Sequence, residues 1–316
     1  MTTVDSAALL FDGPWQHRFV TANGARFHVT TTGEPDAPLV LLLHGVPQFW
    51  WAWRHQMPAL AAAGYRVAAM DLRGTGGSDK PPQGYDVPTL AADAAGVIRS
   101  LGESDAVVVG SGTGADVAWA TAAAHPGVVR ALGVLAGTHP LDRVSEPRTA
   151  PHPAAAALLA FTQLPSLPER AVVEGDLVER MFTQWGGVPG RPDASAVDTY
   201  RRALRVPFAA HSQLEQVRWL VRSTPRPDGR RLRALLRDAR PVPVLQAHGA
   251  RDGLRPASHA SLGPATRRLA APYRYELLRG GGHYLGDQVP EQVGELLVDW
   301  LAEIDGARAR ARRVVL

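Results

Sequence analysis

The sequence predicts an α/β protein built on a mostly parallel, doubly wound sheet that is interrupted by a helical insertion. Short runs of buried aliphatic residues alternate with helical stretches up to residue 138. The same alternation resumes at residue 241, after a segment rich in Pro, Ala and Arg that contains no clear buried strand. Strands that alternate with helices favour a parallel sheet with helices on both faces.

The first part of the chain supplies the opening strands of this sheet. Residues Arg26–Thr32 alternate in polarity as a strand does, and they lead into a turn at 33–38. Leu39–Leu43 is a continuous apolar run that predicts a buried strand, and the HGVP loop at 44–47 follows it. A helix is predicted over Trp53–Ala63. Strand, loop and helix therefore follow one another directly.

The next segments continue the pattern. Tyr65–Met70 is a predicted strand, and the sequence DLRGTGGSDKP follows it at 71–81. A helix is predicted from about Pro88 to Leu101, because proline is tolerated at a first helical position. Another buried strand begins at Ala106, and Val129–Leu135 is the strand after that. The alternation therefore persists through the first half of the chain.

The alternation breaks at residues 139–240, which we interpret as a helical cap. The core domain is then expected to comprise residues 1–138 and 241–316. Helical patches in the cap are predicted at Ala154–Phe161, Ala171–Phe182 and Ala196–Leu204. After the cap the core is completed by strands at Val242–Ala247 and Tyr273–Leu278 and by a helix at Val289–Ile304.

The composition is that of an ordinary globular protein, with 45% hydrophobic and 20% charged residues in a chain of 316. Because cysteine is absent, disulfides, thiolate metal sites and a cysteine nucleophile are excluded. The first residues lack the basic and apolar regions of a signal peptide. No apolar run is long enough for a transmembrane helix. We therefore expect a cytoplasmic protein.

The charge pattern does not favour nucleic acid as a partner. The net charge is +4, but most arginines are scattered along the chain. One cluster, Arg308, Arg310, Arg312 and Arg313, is expected to be a solvated or frayed tail. The histidines are not spaced as metal ligands, so we expect no metal. The sequence implies no organic cofactor, and we expect no membrane partner. A small-molecule substrate is expected, and monomer and homodimer both remain open.

The stretch Ala106–Ala118, AVVVGSGTGADVA, organises the functional reading. An apolar strand is followed by a glycine-rich turn and by an alanine-rich helix with Asp116 in its first turn. This is the setting of a nucleophile elbow, G-x-nucleophile-x-G, in which a sharp turn exposes the attacking side chain. The nucleophile position here holds Gly112, which has no side chain that could attack a substrate.

A dinucleotide-binding turn is the rival interpretation of the same glycines. Gly110, Gly112 and Ala115 also fit the pattern G-x-G-x-x-G/A. That fingerprint belongs in the first strand–helix–strand unit and requires a carboxylate near the end of the next strand. Several elements precede it here, and the strand Val129–Leu135 ends without a carboxylate. The elbow interpretation is therefore favoured.

Three motifs in the same order resemble those of α/β-hydrolase-fold enzymes. They are the HGVP loop with Trp53 and Arg54 behind it, the pattern D-x-R-G-x-G-x-S at 71–78, and the elbow. The H-G-x-P loop and the helical cap are most similar to the epoxide hydrolase and haloalkane dehalogenase branch. The resemblance covers nearly the whole chain and implies the α/β-hydrolase fold. In that branch the nucleophile is Asp, so Gly112 departs from the pattern.

The resemblance also implies roles for other residues. The family places its acid at Asp252 and its base at His283, after the last two strands. It places an oxyanion hole at the backbone amides of Val46 and Thr113. Tyr200 resembles a cap tyrosine that donates a proton to an epoxide oxygen. Asp252 and His283 can then act as an acid–base pair without a nucleophile.

Aromatic side chains are candidates for an apolar substrate pocket. These are Trp50, Trp51, Phe161, Phe182 and Trp185. Because general acid–base catalysis contributes only about 10²–10⁴-fold, the substrate must be intrinsically reactive. An epoxide, a quinone or a polyketide-like molecule of secondary metabolism fits this requirement.

Three functional readings follow. The first is an enzyme that uses the His283–Asp252 pair and the oxyanion hole, without a covalent intermediate, for epoxide opening, cyclisation or carbon–carbon bond formation or cleavage. The second is a catalytically silent homologue that binds a small molecule. The third is a conventional epoxide hydrolase or esterase with a displaced nucleophile such as Ser111.

Overall fold

The computed structural model describes residues 3–145, 152–189, 192–255, 257 and 263–314, with backbone only for 144–145 and 308–314. Its strands are β1 (Gln16–Ala22), β2 (Ala25–Thr32), β3 (Leu39–Leu43), β4 (Arg66–Met70), β5 (Ala106–Ser111), β6 (Val129–Leu135), β7 (Val242–Gly249) and β8 (Ala270–Leu278). They form one eight-stranded sheet in the order β1-β2-β4-β3-β5-β6-β7-β8. Strand β2 pairs antiparallel with β1 and with β4, and the other neighbours are parallel. The predicted α/β class with a mostly parallel sheet is confirmed.

Helices cover both faces of this sheet and occupy the region between β6 and β7. They are α1 (Gln56–Ala62), α2 (Val87–Ser100), α3 (Thr113–Ala124), α4 (Pro140–Ser145), α5 (Pro153–Phe161), α6 (Leu167–Val173), α7 (Leu177–Arg180), α8 (Ala194–Leu204), α9 (Ala209–Arg222), α10 (Pro227–Asp238), α11 (Pro264–Leu269), α12 (Leu285–Gln288) and α13 (Pro290–Val314). Within its described residues, the segment from α4 to α10 carries no strand of the sheet.

The buried strands divide their side chains between two cores. In β3, Val40 and Leu42 join the core beneath α1 and α13, whereas Leu41 and Leu43 join the core beneath α2 and α3. This division follows from the two-residue period of a strand, which sends successive side chains to opposite faces. Apolar residues of the cap such as Leu214 belong to the first of these cores.

The cap differs from its predicted helices at one informative point. A single helix was predicted over Ala171–Phe182, but α6 ends at Val173 and α7 begins at Leu177. Gly175 lies in the break, where its low helix propensity favours an interruption. A π-helical turn, Met181–Trp185, then continues α7.

Other elements were not predicted from the sequence. Strand β1 has a mostly exposed, polar sequence with little apolar alternation, so no strand pattern marks it. Helix α13 extends beyond the predicted end at Ile304 to Val314. The expectation about the side chains of Arg308, Arg310, Arg312 and Arg313 falls outside the described side chains. Across the described ranges, no helix has the length and apolarity that crossing a membrane requires.

Candidate active site

The predicted site residues meet at the carboxyl edge of the parallel strands. The HGVP loop follows β3, the elbow follows β5, Asp252 follows β7 and His283 follows β8. Because these strands are parallel, the loops at their carboxyl ends lie at one edge of the sheet, where α/β proteins bind their ligands.

The turn after β5 is sharp at Gly112, the residue predicted to stand at its apex. Gly112 has φ 55° and ψ −116°, a backbone conformation that residues with a Cβ adopt only with strain. A Cβ atom on Gly112 would lie 3.2 Å from Nε2 of His283, and its next neighbour would be Cα of Gly45 at 3.8 Å. A side chain at this position would therefore point at the imidazole.

His283 and Asp252 form the expected buried pair. Nδ1 of His283 lies 3.0 Å from Oδ2 of Asp252 and donates to it, because the carboxylate only accepts. The other carboxylate oxygen accepts the amides of Leu254 and Arg255 at 2.8 and 2.9 Å. Burial raises the pKa of Asp252, but the charge and hydrogen bond of His283 outweigh it, so the net pKa is lowered. In neutral His283, Nε2 is then the basic nitrogen facing Gly112.

A second histidine contacts the same carboxylate and was not predicted. Nε2 of His248 lies 3.3 Å from Oδ2 of Asp252 and 3.2 Å from the carbonyl of Arg255. Both partners are acceptors, so this nitrogen carries the proton. Burial lowers the pKa of His248 against the opposing charge of Asp252. A neutral His248 therefore helps to hold Asp252. Its position at the end of β7, four residues before Asp252, is the sequence feature that could have identified it.

The HGVP loop packs directly on the elbow. A Cβ atom on Gly45 would lie 2.9 Å from the carbonyl oxygen of Ser111, which leaves no room for a side chain. Among the described residues, the amides of Val46 and Thr113 donate to no carbonyl. Thr113 is also the first residue of α3, where the helix dipole favours an anion. Both amides can therefore donate to an oxyanion.

Ser111, the candidate for a displaced nucleophile, lies one residue before Gly112 in the chain. It is the last residue of β5 and is buried. Within the described ranges of the chain, no hydrogen bond joins Ser111 to His283. The base therefore faces the Cβ direction of Gly112 and does not engage the serine hydroxyl.

Tyr200 is held by a polar cluster that the sequence did not reveal. Its hydroxyl donates to Oδ2 of Asp287 at 2.7 Å, and Asp287 also accepts from Gln48 at 2.7 Å and from Arg54 at 2.6 Å. Burial and the charge of Asp287 raise the pKa of Tyr200 well above its ordinary value. The resemblance implies that Tyr200 donates its hydroxyl proton to an epoxide oxygen, but in this structure that proton is donated to Asp287.

The predicted pocket aromatics divide into two groups. Trp50 lies in the core, because its indole N–H donates to the carbonyl of Leu9 at 3.2 Å and its ring packs against His17 and Trp15. Trp50 is fully buried there, and its contact with substrate stays a prediction. Trp51 is half-buried, and the guanidinium of Arg54 stacks 3.6 Å above its ring.

The remaining aromatics belong to the cap. Phe182 packs between the rings of Tyr200 and Tyr284, with centroid distances of 5.1 and 4.4 Å, so it lies beside the His283 loop. The indole N–H of Trp185 donates to the carbonyl of Ala155, inside the cap. Phe161 is half-buried and lines a depression with Leu158 and Arg180. Of these residues, Phe182 has the position that best fits substrate contact.

This fold and this site define a class of protein. The sequence model of the alpha/beta hydrolase fold family matches residues 38–288, and the chain belongs to that family. Epoxide hydrolase A of Mycobacterium tuberculosis is 30% identical over an alignment of 320 positions, and the match covers 91% of this chain and 98% of that protein.

Solved structures agree with this assignment. The Cfl2 protein of Burkholderia cenocepacia is 26% identical with a TM-score of 0.78, and the match covers 91% of this chain and 96% of that one. An epoxide hydrolase from an endophytic Streptomyces is 29% identical with a TM-score of 0.72, and the match covers 94% and 97%. The chain is therefore an α/β-hydrolase-fold protein with epoxide hydrolases among its homologues.

Proposed function

We propose that this protein is an enzyme that performs acid–base chemistry on an apolar small molecule without a covalent enzyme intermediate. Opening of an epoxide by water is the reaction we favour, because epoxide hydrolases are among its relatives. One observation carries the proposal: the Cβ direction of Gly112 ends 3.2 Å from Nε2 of His283. A water or substrate oxygen at that point would be within hydrogen-bond reach of the base.

The proposed reaction needs no nucleophile on the protein. His283 takes a proton from water while the water oxygen bonds to an epoxide carbon and the carbon–oxygen bond of the ring breaks. Asp252 stabilises the imidazolium that forms. The amides of Val46 and Thr113 stabilise the alkoxide, which then takes the proton back from His283. The product is a diol, and the enzyme returns to its starting state.

Isotope labelling in a single turnover tests the proposal. Enzyme in excess over styrene oxide is mixed in water labelled with heavy oxygen, and the diol is analysed by mass spectrometry. We expect heavy oxygen in the diol from the first turnover, because solvent water attacks directly. A first-turnover diol that contains no heavy oxygen, or a covalent adduct on Ser111, would contradict the proposal. Binding without turnover across a panel of epoxides would favour the silent homologue.

Tyr200→Phe separates a structural from a catalytic role of this tyrosine. We expect turnover of styrene oxide close to that of the wild type, because the Tyr200 proton is engaged by Asp287. We also expect the free energy of unfolding to fall by about 1–2 kcal/mol, since buried Asp287 loses one donor. Urea unfolding and initial rates measure the two effects.

Tyr65→Phe is the matched control for this variant. Tyr65 also donates to an aspartate, Asp305 on α13, at 2.7 Å, away from the elbow. Both variants are expected to lose stability and to keep their rates. A large loss of turnover in Tyr200→Phe alone would restore the tyrosine as the acid that protonates the epoxide oxygen.

A further inference from the structure

The π-helical turn of the cap together with Gly186, which ends it, is called the cap turn here, and it touches both loops that carry the acid–base pair. The carbonyl of Trp185 accepts from the amide of Gly253 at 3.0 Å, one residue after Asp252. The next carbonyl, that of Gly186, accepts from the amide of His283 at 3.2 Å. Two consecutive peptide groups of the cap therefore bind the acid loop and the base loop.

Gln288 ties the base loop to the same cap carbonyl. Its side chain is fully buried, and Nε2 donates to the carbonyl of Gly186 at 3.1 Å. Oε1 accepts from the amides of Gly282 and Tyr284 at 2.8 and 3.2 Å. These two amides flank His283 in the sequence. Three hydrogen bonds from one side chain thus fix the backbone on both sides of the base.

Glycines allow the cap turn and the loops to approach this closely. A Cβ atom on Gly282 would lie 1.7 Å from the carbonyl oxygen of Gly186. A Cβ atom on Gly253 would lie 1.9 Å from the carbonyl oxygen of Gln184. No side chain fits at either place, so the backbones are in direct contact. The cap turn and the acid–base loops are therefore packed as one unit.

We propose that Gln288, acting through Gly186 of the cap turn, is a positioning residue that sets the alignment of His283 with Asp252 and with the elbow. Its effect on turnover rests on the proposed function, whereas its effect on the His283–Asp252 hydrogen bond does not. Misplacement of a reacting group by about 1 Å costs up to about 100-fold in rate, so a loosened base loop has a measurable consequence.

Gln288→Met tests the proposal, because methionine fills a similar volume and makes none of the three hydrogen bonds. We expect kcat on styrene oxide to fall about 10- to 100-fold with KM little changed. The direct readout is the downfield proton signal of the His283 Nδ1–H, assigned by its loss in His283→Gln. We expect this signal to weaken or disappear. The proton between His28 and Asp71, 2.7 Å apart, is an internal reference that stays unchanged.

Gln216→Met is the matched control, since Gln216 is a buried glutamine of α9 that donates to the carbonyl of Arg73 at 3.0 Å. It should lose stability without moving the His283 signal. Gln288→Glu keeps the acceptor oxygen and loses the donor to Gly186, so it serves if Gln288→Met does not fold, and an intermediate effect is expected. An unchanged His283 signal in a folded Gln288 variant overturns the proposal, whether or not the wild type turns over styrene oxide.

Discussion

Replacing His283 with glutamine is expected to lower kcat/KM on styrene oxide by about 10²–10⁴-fold, the full contribution of a positioned general base. Glutamine can fill part of the space of the imidazole, but it cannot take a proton from water. Asp252→Asn is expected to have a smaller effect, because His283 remains but loses the charge that stabilises its protonated form. Steady-state rates of the three proteins measure these effects.

His28→Gln is the matched control for the loss of a buried histidine. His28 is paired with Asp71 at 2.7 Å, much as His283 is with Asp252, but both of its pair's side chains are fully buried beside Trp50 in the core. This variant is expected to lose stability and to keep the turnover of its folded fraction. If His283→Gln retains wild-type turnover, the acid–base proposal is wrong.

Placing aspartate at the elbow is expected to change the mechanism. In Gly112→Asp the new Cβ lies 3.2 Å from Nε2 of His283, so the carboxylate enters the space in front of the base. We expect it to attack the epoxide and form an ester, which intact-mass measurement during turnover would detect as the protein plus one substrate. The wild type should show no such adduct.

The same substitution has a cost in stability. At φ 55° a residue with a Cβ is strained, and such strain costs about 1–3 kcal/mol. Gly112→Asn has nearly the same shape and strain but cannot form a stable ester, so it is the control for folding. Gly112→Ala is expected to lose turnover, because its Cβ occupies the place proposed for the attacking oxygen. Full turnover by Gly112→Ala would contradict direct attack by water.

The sequence by itself determined the parallel sheet and the order of the loops that carry Gly112, Asp252 and His283. Continuous apolar runs such as Leu39–Leu43 mark central strands, because such strands are buried on both faces. Parallel strands then bring their carboxyl-terminal loops to one edge, whatever the sequence distance between them. Local pattern and this topological rule placed the loops, and the resemblance to α/β-hydrolase-fold enzymes implied the roles of Asp252 and His283 within them.

Only the tertiary structure decided how the site is supported. Tyr200 was predicted to protonate the substrate, but its partner is Asp287, and Gln288 finds Gly186 across 102 positions of the chain. Trp50 was predicted to line the pocket but faces Leu9 in the core. A sequence pattern specifies which residues are apolar and where elements begin. It does not specify which distant group a buried donor meets, because that depends on how the cap packs against the sheet.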